Sequence, residues 1–390
     1  MELPSTQNCM DTAFEDYMNS RNLVPLFDAF KIKNQPDLGL DDIGTLALKS
    51  EGVSGDALAS GSLTLNNQTV YVVIKFFRVP CQYKTIVHGN KIICRPQDVI
   101  DKNQYEMGNT MLLTDIILLN EKHLTPHITF AFKSGVCTSG YETEVSMCNP
   151  NNLIEPNSFL IPSNCDSLFS HYPQCAFRSD YMNRQLDDSI RYLIVEKVNG
   201  DLEQWITDHL QEDDLPISEF DHILLSMLVM ITYTLYVLDD YLEGFLHGDM
   251  GPRNILFTNV QASDKYWKYE INNKAFYIQA HGTVPKLWDF SNTYIGSYHK
   301  EHFNYIKNTN NRDVKPFTED LSILLKVIRN RLNNSQTSLL PIIDHVLSCP
   351  FELTNKEMAM YFLNHEMITK HFTGYVPDYL IEHTFSYVDI

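Results

Sequence analysis

The chain has 390 residues and a mass of 45.1 kDa, of which 44% are hydrophobic, 12% aromatic and 20% charged. That is enough apolar material for a sizeable core, which excludes global disorder, and the length suits one large two-lobed domain or two to three small ones. With 30 Lys and Arg against 49 Asp and Glu the net charge is −19, so phosphate backbones and anionic lipid repel the chain as a whole. Neither nucleic acid nor membrane is expected as a partner, although a local basic pocket for a small phosphate ligand is compatible with this charge.

The first residues, MELPSTQNCMDTAFEDYM, are acidic and have no basic stretch followed by an apolar one, so no secretory signal is expected. The eight cysteines, four of them between Cys137 and Cys175, form no CxxC pair and no Cys/His ligand spacing. They read as reduced thiols in a cytoplasmic compartment, and a zinc knuckle is not expected.

Residues 1–42 read as a mixed, polar N-terminal extension. Alternation over Ile43–Leu48 and Ala57–Leu65, the Asn66-Asn67 turn and the β-branched, aromatic run Thr69–Phe77 predict three consecutive antiparallel strands. The loop between the first two carries Gly52 and Gly55. Residues 78–103, with Pro80 and Pro96, read as a connection, and Met107, Met111, Leu112, Ile116 and Leu119 predict a helix over Tyr105–Leu119. Residues 134–187 are rich in Ser, Asn, Cys and Pro and read as a long insertion. Arg191–Val195 returns to strand. Beyond Asp201 helix dominates, apart from short strands near Asn254–Phe257, Phe276–Ile278 and Lys286–Trp288. Ile223–Leu238 carries no charge over 16 residues; it is shorter than a bilayer requires and lacks a basic flank, so a fully buried helix is expected. Residues 335–390 show helical patches at Leu339–Leu347 and Asn355–Leu363. A β-rich half followed by an α-rich half predicts an α+β fold with two lobes.

The chemistry concentrates after the apolar helix, in LHGDMGPRNILF, where Asp249 and Asn254 stand five residues apart before a short apolar strand. An Asp that orients an attacking hydroxyl and an Asn carbonyl that binds a metal on nucleotide phosphates need this arrangement. Further on, PKLWDFSN places Asp289 at the end of a strand, where a second carboxylate can chelate Mg²⁺. Upstream, Lys75 sits mid-strand among apolar residues, which disfavours a plain surface lysine, and can pair the α- and β-phosphates. Gly52 and Gly55 lie between two strands, where backbone N–H groups can approach phosphate.

These signals in this order resemble the eukaryotic-like protein kinase superfamily: a glycine loop, V-x-I-K at Lys75, H-x-D-x-x-x-x-N at His247–Asn254, and D-F-x at Asp289. LIVEKVNGDLEQWI (Leu193–Ile206) looks like the strand, hinge and helix that cradle adenine. The resemblance covers roughly Ile43 to Leu332 and implies a bilobal protein-kinase-like fold: a small β-rich N-lobe over 43–198, holding the 134–187 insertion, and a larger α-helical C-lobe over 199–390. TPHI (Thr125–Ile128), Trp267–Ile278 and Val284–Phe290 look like the divergent serine/threonine kinase-like proteins of large DNA viruses, which would place the chain in host cytoplasm or virion.

The resemblance implies ATP and Mg²⁺ as cofactors and a protein hydroxyl as acceptor. Lys75 would hold the phosphates, with Glu106 as first choice of carboxylate partner and Asp115 and Glu121 as competitors. Gly52 and Gly55 would cover the phosphates, and Glu196 and Val198 would offer backbone groups to adenine beside Val195. Asp249 would be the catalytic carboxylate, Asn254 and Asp289 the metal ligands, and Asp313 or Asp320 would brace the catalytic loop.

The departures from the family pattern also bear on function. Gly248 replaces the loop arginine that would meet a phosphorylated activation segment. Gly251 replaces the lysine that helps neutralise the γ-phosphate, with Arg253 a candidate substitute. Ser291 replaces a glycine, and no A-P-E stretch follows. A catalytically weak or inactive pseudokinase scaffold is therefore one alternative to an active kinase. A small-molecule kinase of the aminoglycoside or choline kinase type, which HGD and a short segment resemble, is another.

Overall fold

The computed structural model describes residues 47–51, 57–65, 68–80, 83–88, 91–96, 102–118, 124–138, 186–211, 216–296, 320–332, 337–349 and 353–388. Their architecture is mixed α+β, with several small sheets and, among the described residues, seven α-helices. They divide into two compact units, one within Leu23–Met111 and Phe130–Lys197, the other within Leu112–Thr129 and Val198–Ile390.

The first unit is built on strands β1 (Ala47–Glu51), β2 (Ala57–Leu65) and β3 (Gln68–Pro80), each antiparallel to the next. The β-branched and aromatic run of β3 fits a pleated, half-buried surface. Val72 and Ile74 are fully buried, so alternation puts Tyr71, Val73 and Lys75 on the opposite face. A separate hairpin, β4 (Tyr83–His88) with β5 (Lys91–Pro96), occupies the stretch expected to be a plain connection. Its short alternating strands carry a weak pattern next to Pro80 and Pro96, which read as breakers.

Helix α1 spans Lys102–Leu113 and passes into a π-helical turn at Thr114–Leu118. The expected helix over Tyr105–Leu119 thus starts earlier and changes its winding within its last two turns, a feature that apolar spacing does not register. Strands β6 (Ala131–Thr138) and β7 (Leu186–Glu196) complete a five-stranded sheet in the order β1-β2-β3-β7-β6. They extend into both ends of the 134–187 stretch, and residues 139–185 lie outside the described residues.

The second unit begins with the short β8 (Gly200–Asp201), helix α2 (Leu202–Gln211) and helix α3 (Ile217–Tyr241). Helix α3 is long and apolar enough to cross a membrane by length and composition, yet 94% of its most apolar window is buried inside the fold. It is the core helix that the uncharged run predicts. Next come β9 (Phe245–Leu246), a 3₁₀ turn at Pro252–Asn254, and β10 (Ile255–Asn259). Strands β11 (Tyr266–Ile271) and β12 (Lys274–Gln279) form a hairpin, followed by β13 (Thr283–Leu287), a 3₁₀ turn at Phe290–Asn292 and β14 (Tyr294–Ile295). Helices α4 (Asp320–Leu332), α5 (Leu340–Leu347), α6 (Asn355–Leu363) and α7 (Glu366–Phe372) follow, and the last strand is β15 (Ile381–Tyr387).

Helix and strand share this half: β10, β12 and β13 overlap the short strands expected near Asn254–Phe257, Phe276–Ile278 and Lys286–Trp288, while β8, β9, β11, β14 and β15 come in addition. Strand β15 runs parallel to β11, so its pairing partner lies more than a hundred residues away, and no local pattern announces it. Its Phe385 stacks on Tyr269, and the Tyr387 hydroxyl donates to Asp240 at 2.7 Å.

His127, from the TPHI stretch, is fully buried in this unit. Its Nδ1–H donates to the Pro285 carbonyl at 2.8 Å, which leaves Nε2 to accept from the Tyr269 hydroxyl at 2.8 Å. Burial, aided by the Lys286 charge, lowers its pKa to about 3. The folded state therefore refuses a proton that the unfolded chain takes up below pH 6.5, so stability is full above that value and falls on acidification. Each pH unit in that window is worth about 1.4 kcal/mol, so His127 alone is expected to remove about 2 kcal/mol at pH 5. Denaturant unfolding at pH 7 and pH 5 checks this. His127→Gln, which keeps a neutral donor and acceptor, should flatten the dependence, and an equal drop in both proteins would exclude His127 as its source.

Candidate functional site

The predicted residues fall into two groups, one in each unit. In the first unit, Lys75 lies centrally in β3, opposite Leu58 of β2 and Leu193 of β7. Its Nζ donates to both carboxylate oxygens of Glu106, at 2.7 and 2.8 Å. Lys75 is 7% exposed and Glu106 2%. Taking two charges out of water is costly, and removing one partner of such a buried pair typically costs about 3–5 kcal/mol. Of the other candidate partners, Asp115 sits in the π-helical turn and Glu121 lies outside the described residues. Gly52 and Gly55 lie outside them too, so the glycine loop has no described structure.

Glu196 ends β7. Its N–H donates to the Phe130 carbonyl at 2.9 Å, and its buried carboxylate accepts from the Phe130 N–H at 2.7 Å. This two-way bond ties β7 to the residue just before β6. The next residue, Lys197, donates its N–H to the Tyr71 carbonyl at 3.2 Å and lays its ammonium 5.1 Å from the Tyr71 ring centroid. In the second unit, the Val198 N–H makes no hydrogen bond to another described residue.

The His247–Asn254 loop is set by a buried carboxylate. Asp320, the first residue of α4, is fully buried and accepts from the His247 N–H at 2.6 Å and the Gly248 N–H at 3.0 Å. The Asn355 amide of α6 donates to it at 3.0 Å and also to the Phe245 carbonyl at 2.7 Å. Burial pushes the Asp320 carboxyl up, while His247 and the N–H donors pull against that rise. Asp313, the other candidate for bracing the loop, lies outside the described residues. A second carboxylate, Asp239 near the end of α3, accepts the N–H groups of Phe245 and Lys356 at 2.9 and 2.8 Å. Its pKa is likewise raised by burial, against those two bonds.

Asp249 follows directly and is exposed. The Asn254 amide nitrogen donates to the Asp249 carbonyl at 2.7 Å and to its carboxylate at 3.2 Å. Since Nδ2 faces Asp249, the amide oxygen of Asn254 is the atom that can bind a cation. The Trp288 N–H donates to the Asn254 carbonyl at 2.9 Å, so the chain entering Asp289 abuts Asn254. Asp289 is left-handed, at φ 62°, a conformation that Asp tolerates better than most residues, and its side chain caps the Ser291 N–H at 3.4 Å. An amide oxygen and a carboxylate are hard donors of the kind Mg²⁺ takes.

His247 and Thr293 clamp this turn to the loop, the Thr293 hydroxyl donating to the His247 carbonyl at 3.3 Å. His247 is fully buried, and its Nε2–H donates to the Trp288 carbonyl at 2.8 Å. β9 pairs with β14, and the Gly296 N–H donates to the Gly244 carbonyl at 2.8 Å. Gly248 has φ +79°, and a Cβ there would stand 2.4 Å from the Asn292 backbone oxygen. A side chain at this position cannot fit without moving the Asp289 turn. Gly248→Ala is expected to destabilise the chain by about 2–3 kcal/mol, combining left-handed strain with overpacking, and denaturant unfolding measures it. A loss below 0.5 kcal/mol would show that the turn yields freely.

A Cβ at Gly251, by contrast, would meet open space, so packing does not demand the missing side chain there. Arg253 directs its Nε to Glu203 of α2 at 2.5 Å, and Arg331 of α4 contacts the other oxygen of the same carboxylate. The structure thus brings Asp249 and Asn254 together and places Arg253 against Glu203. Sequence reasoning overlooked Asp239, Asn292 and Asn355. Asp239 and Asn355 belong to no motif, although Asp239 ends the apolar helix, and Asn292 closes the PKLWDFSN stretch without having been singled out.

No protein-family model matches the chain. It is similar to a protein of Acanthamoeba polyphaga mimivirus whose name assigns it, provisionally, to the serine/threonine-protein kinases. The two are 29% identical over 187 residues, a stretch covering 42% of this chain. The match spans 45% of the viral protein, less than half of its length. The chain thus has a distant, partial, kinase-like relationship to that viral protein.

Proposed function

We propose that the chain has a bilobal protein-kinase-like fold and is an ATP-dependent phosphotransferase, a divergent viral-type serine/threonine kinase that moves the γ-phosphate of ATP to a protein hydroxyl. The observation that carries this reading is the buried, two-pronged Lys75–Glu106 pair. A scaffold gains little from a desolvated charge pair whose hydrophobic replacement is often neutral or stabilising. A nucleotide site gains a lysine held in place for phosphate.

In this reading Lys75 steadies the α- and β-phosphates, with Gly52 and Gly55 over them and Glu196 and Val198 against adenine. Asp249 orients the acceptor hydroxyl and takes its proton, and Asn254 holds Asp249 in position. Asn254 and Asp289 would hold Mg²⁺, which when bound neutralises charge on the phosphates. Positioning and charge neutralisation account for most of the catalysis in phosphoryl transfer.

A second reading, a weak or inactive scaffold, is favoured by one observation. The γ-phosphate lysine is absent at Gly251, and its candidate substitute Arg253 is engaged with Glu203. The deciding experiment is Mg²⁺-dependent transfer from γ-labelled ATP to a generic protein acceptor, with Asp249→Asn as control. Transfer by the wild type that requires Mg²⁺ and vanishes in the control supports the kinase. Absence of both transfer and ATP binding supports the scaffold.

A further inference from the structure

The chain carries a strong excess of negative charge, 49 acidic against 30 basic residues, yet two arginines converge beside the proposed catalytic loop. Arg253 stands in the 3₁₀ turn Pro252–Asn254, next to Asn254 and four residues after Asp249. Its side chain is 66% exposed, and that of Arg331 is 50% exposed. Both meet Glu203, one guanidinium on each carboxylate oxygen, and Glu203 itself is only 15% exposed. The cluster therefore carries two positive charges against one negative. Among the described residues no other partner takes the remaining N–H groups of either guanidinium. A guanidinium offers five donors in a fork that matches carboxylate or phosphate oxygens. Glu203 fixes the approach of both side chains, which lowers the entropy lost when a third, anionic group docks.

The charge of the whole chain does not cancel this local field. At physiological ionic strength exposed charges are screened beyond about 8 Å, so the nearest groups decide what a docked segment meets. The open space beside Gly251, between Asp249 and Arg253 in sequence, also leaves that part of the loop unobstructed by a side chain.

We propose that Arg253 and Arg331 form an anion-reading subsite beside the catalytic loop, so that the preferred acceptor is a protein segment with an anionic side chain near the phosphorylated hydroxyl. This rests on the phosphotransferase reading and deepens it, because it names the acceptor class. It also gives Arg253 a role on the acceptor side of the loop, distinct from γ-phosphate neutralisation.

The test uses the full chain with Mg²⁺-ATP and four serine peptides of equal length, flanked by Glu, by phosphoserine, by Ala or by Lys. The Glu or the phosphoserine peptide is expected to exceed the Ala peptide at least fivefold in kcat/KM, through a lower KM, and the Lys peptide to be poorest. The better of the first two tells whether carboxylate or phosphate is read. Arg331→Ala should bring the anionic peptides down to the level of the Ala peptide, Arg331→Lys should restore part of the preference, and Arg331→Glu should invert it towards the Lys peptide. A purely structural Arg331 would lower thermal stability without moving this charge selectivity, and that result would overturn the subsite. So would a wild type that phosphorylates all four peptides equally or prefers the Lys peptide. A wild type that transfers phosphate to none of them and does not bind ATP removes the phosphotransferase reading, and the subsite with it.

Discussion

Asp249→Asn is expected to lower phosphate transfer by about 10³-fold while leaving stability within about 0.5 kcal/mol of the wild type. Loss of a positioned general base typically costs 10²–10⁴-fold, and in the proposed mechanism the carboxylate also orients the acceptor. The fold should not register the change. Asp249 is exposed, and an amide oxygen at that position can still accept from Asn254 Nδ2 as the carboxylate does at 3.2 Å. The second contact from that amide nitrogen goes to the Asp249 backbone carbonyl at 2.7 Å and does not involve the side chain. Substitutions at exposed positions away from buried networks usually stay within that stability margin. Initial rates at saturating Mg²⁺-ATP, measured beside thermal unfolding, separate the two effects. Retained transfer in a normally folded variant would remove Asp249 from the mechanism.

Asp320→Ala is expected to act through the fold and then through activity, with a stability loss of about 3 kcal/mol or more. Three donors converge on the buried carboxylate, from His247, Gly248 and Asn355. Each buried donor left without an acceptor costs about 1–3 kcal/mol. Asp320→Asn should rescue little, because one side of its amide presents N–H groups to the backbone N–H groups that Asp320 now accepts. If Asp320→Ala fails to fold, Asn355→Ala offers the milder test. It removes only the α6 amide and its two bonds, and about 1–2 kcal/mol is expected. Denaturant unfolding reads both variants. A loss below 1 kcal/mol for Asp320→Ala would mean that the loop holds its shape without the brace, through the β9–β14 pairing and the His247 bond to Trp288.

These two effects explain why local and long-range information divide as they do. The residues of LHGDMGPRN lie within a few positions of one another, and their spacing exposes the Asp249–Asn254 pair in the sequence itself. Helix α3 is legible for the same reason: an uncharged run bounded by polar residues has few stable solutions other than burial, and 94% of that window is inside the fold. The second and third strands, the α+β class and the placing of Lys75 in the middle of β3 also follow from local alternation and β-branched composition, whereas the first strand, expected over Ile43–Leu48, is described at Ala47–Glu51.

The remaining features depended on tertiary structure because each needs partners far apart in the chain. Lys75 and Glu106 are 31 residues apart; the resemblance puts Glu106 ahead of Asp115 and Glu121, and packing pairs it with Lys75. The β4–β5 hairpin, the pairing of β11 with the distant β15, and the π-helical end of α1 carry too little local signal to be read from the sequence, whereas β12 is legible in part at Phe276–Ile278. The Gly248 requirement is set by a backbone oxygen of Asn292, forty-four positions on, which has no side-chain signature at all. By itself the sequence determined the mixed α+β class, the buried helix and the order of the chemical motifs, since these rest on short-range periodicity and spacing. Tertiary structure alone decided which carboxylate holds the lysine, which one braces the loop, and that Arg253 shares Glu203 with Arg331. Burial and geometry select one partner among several that the chain offers in sequence.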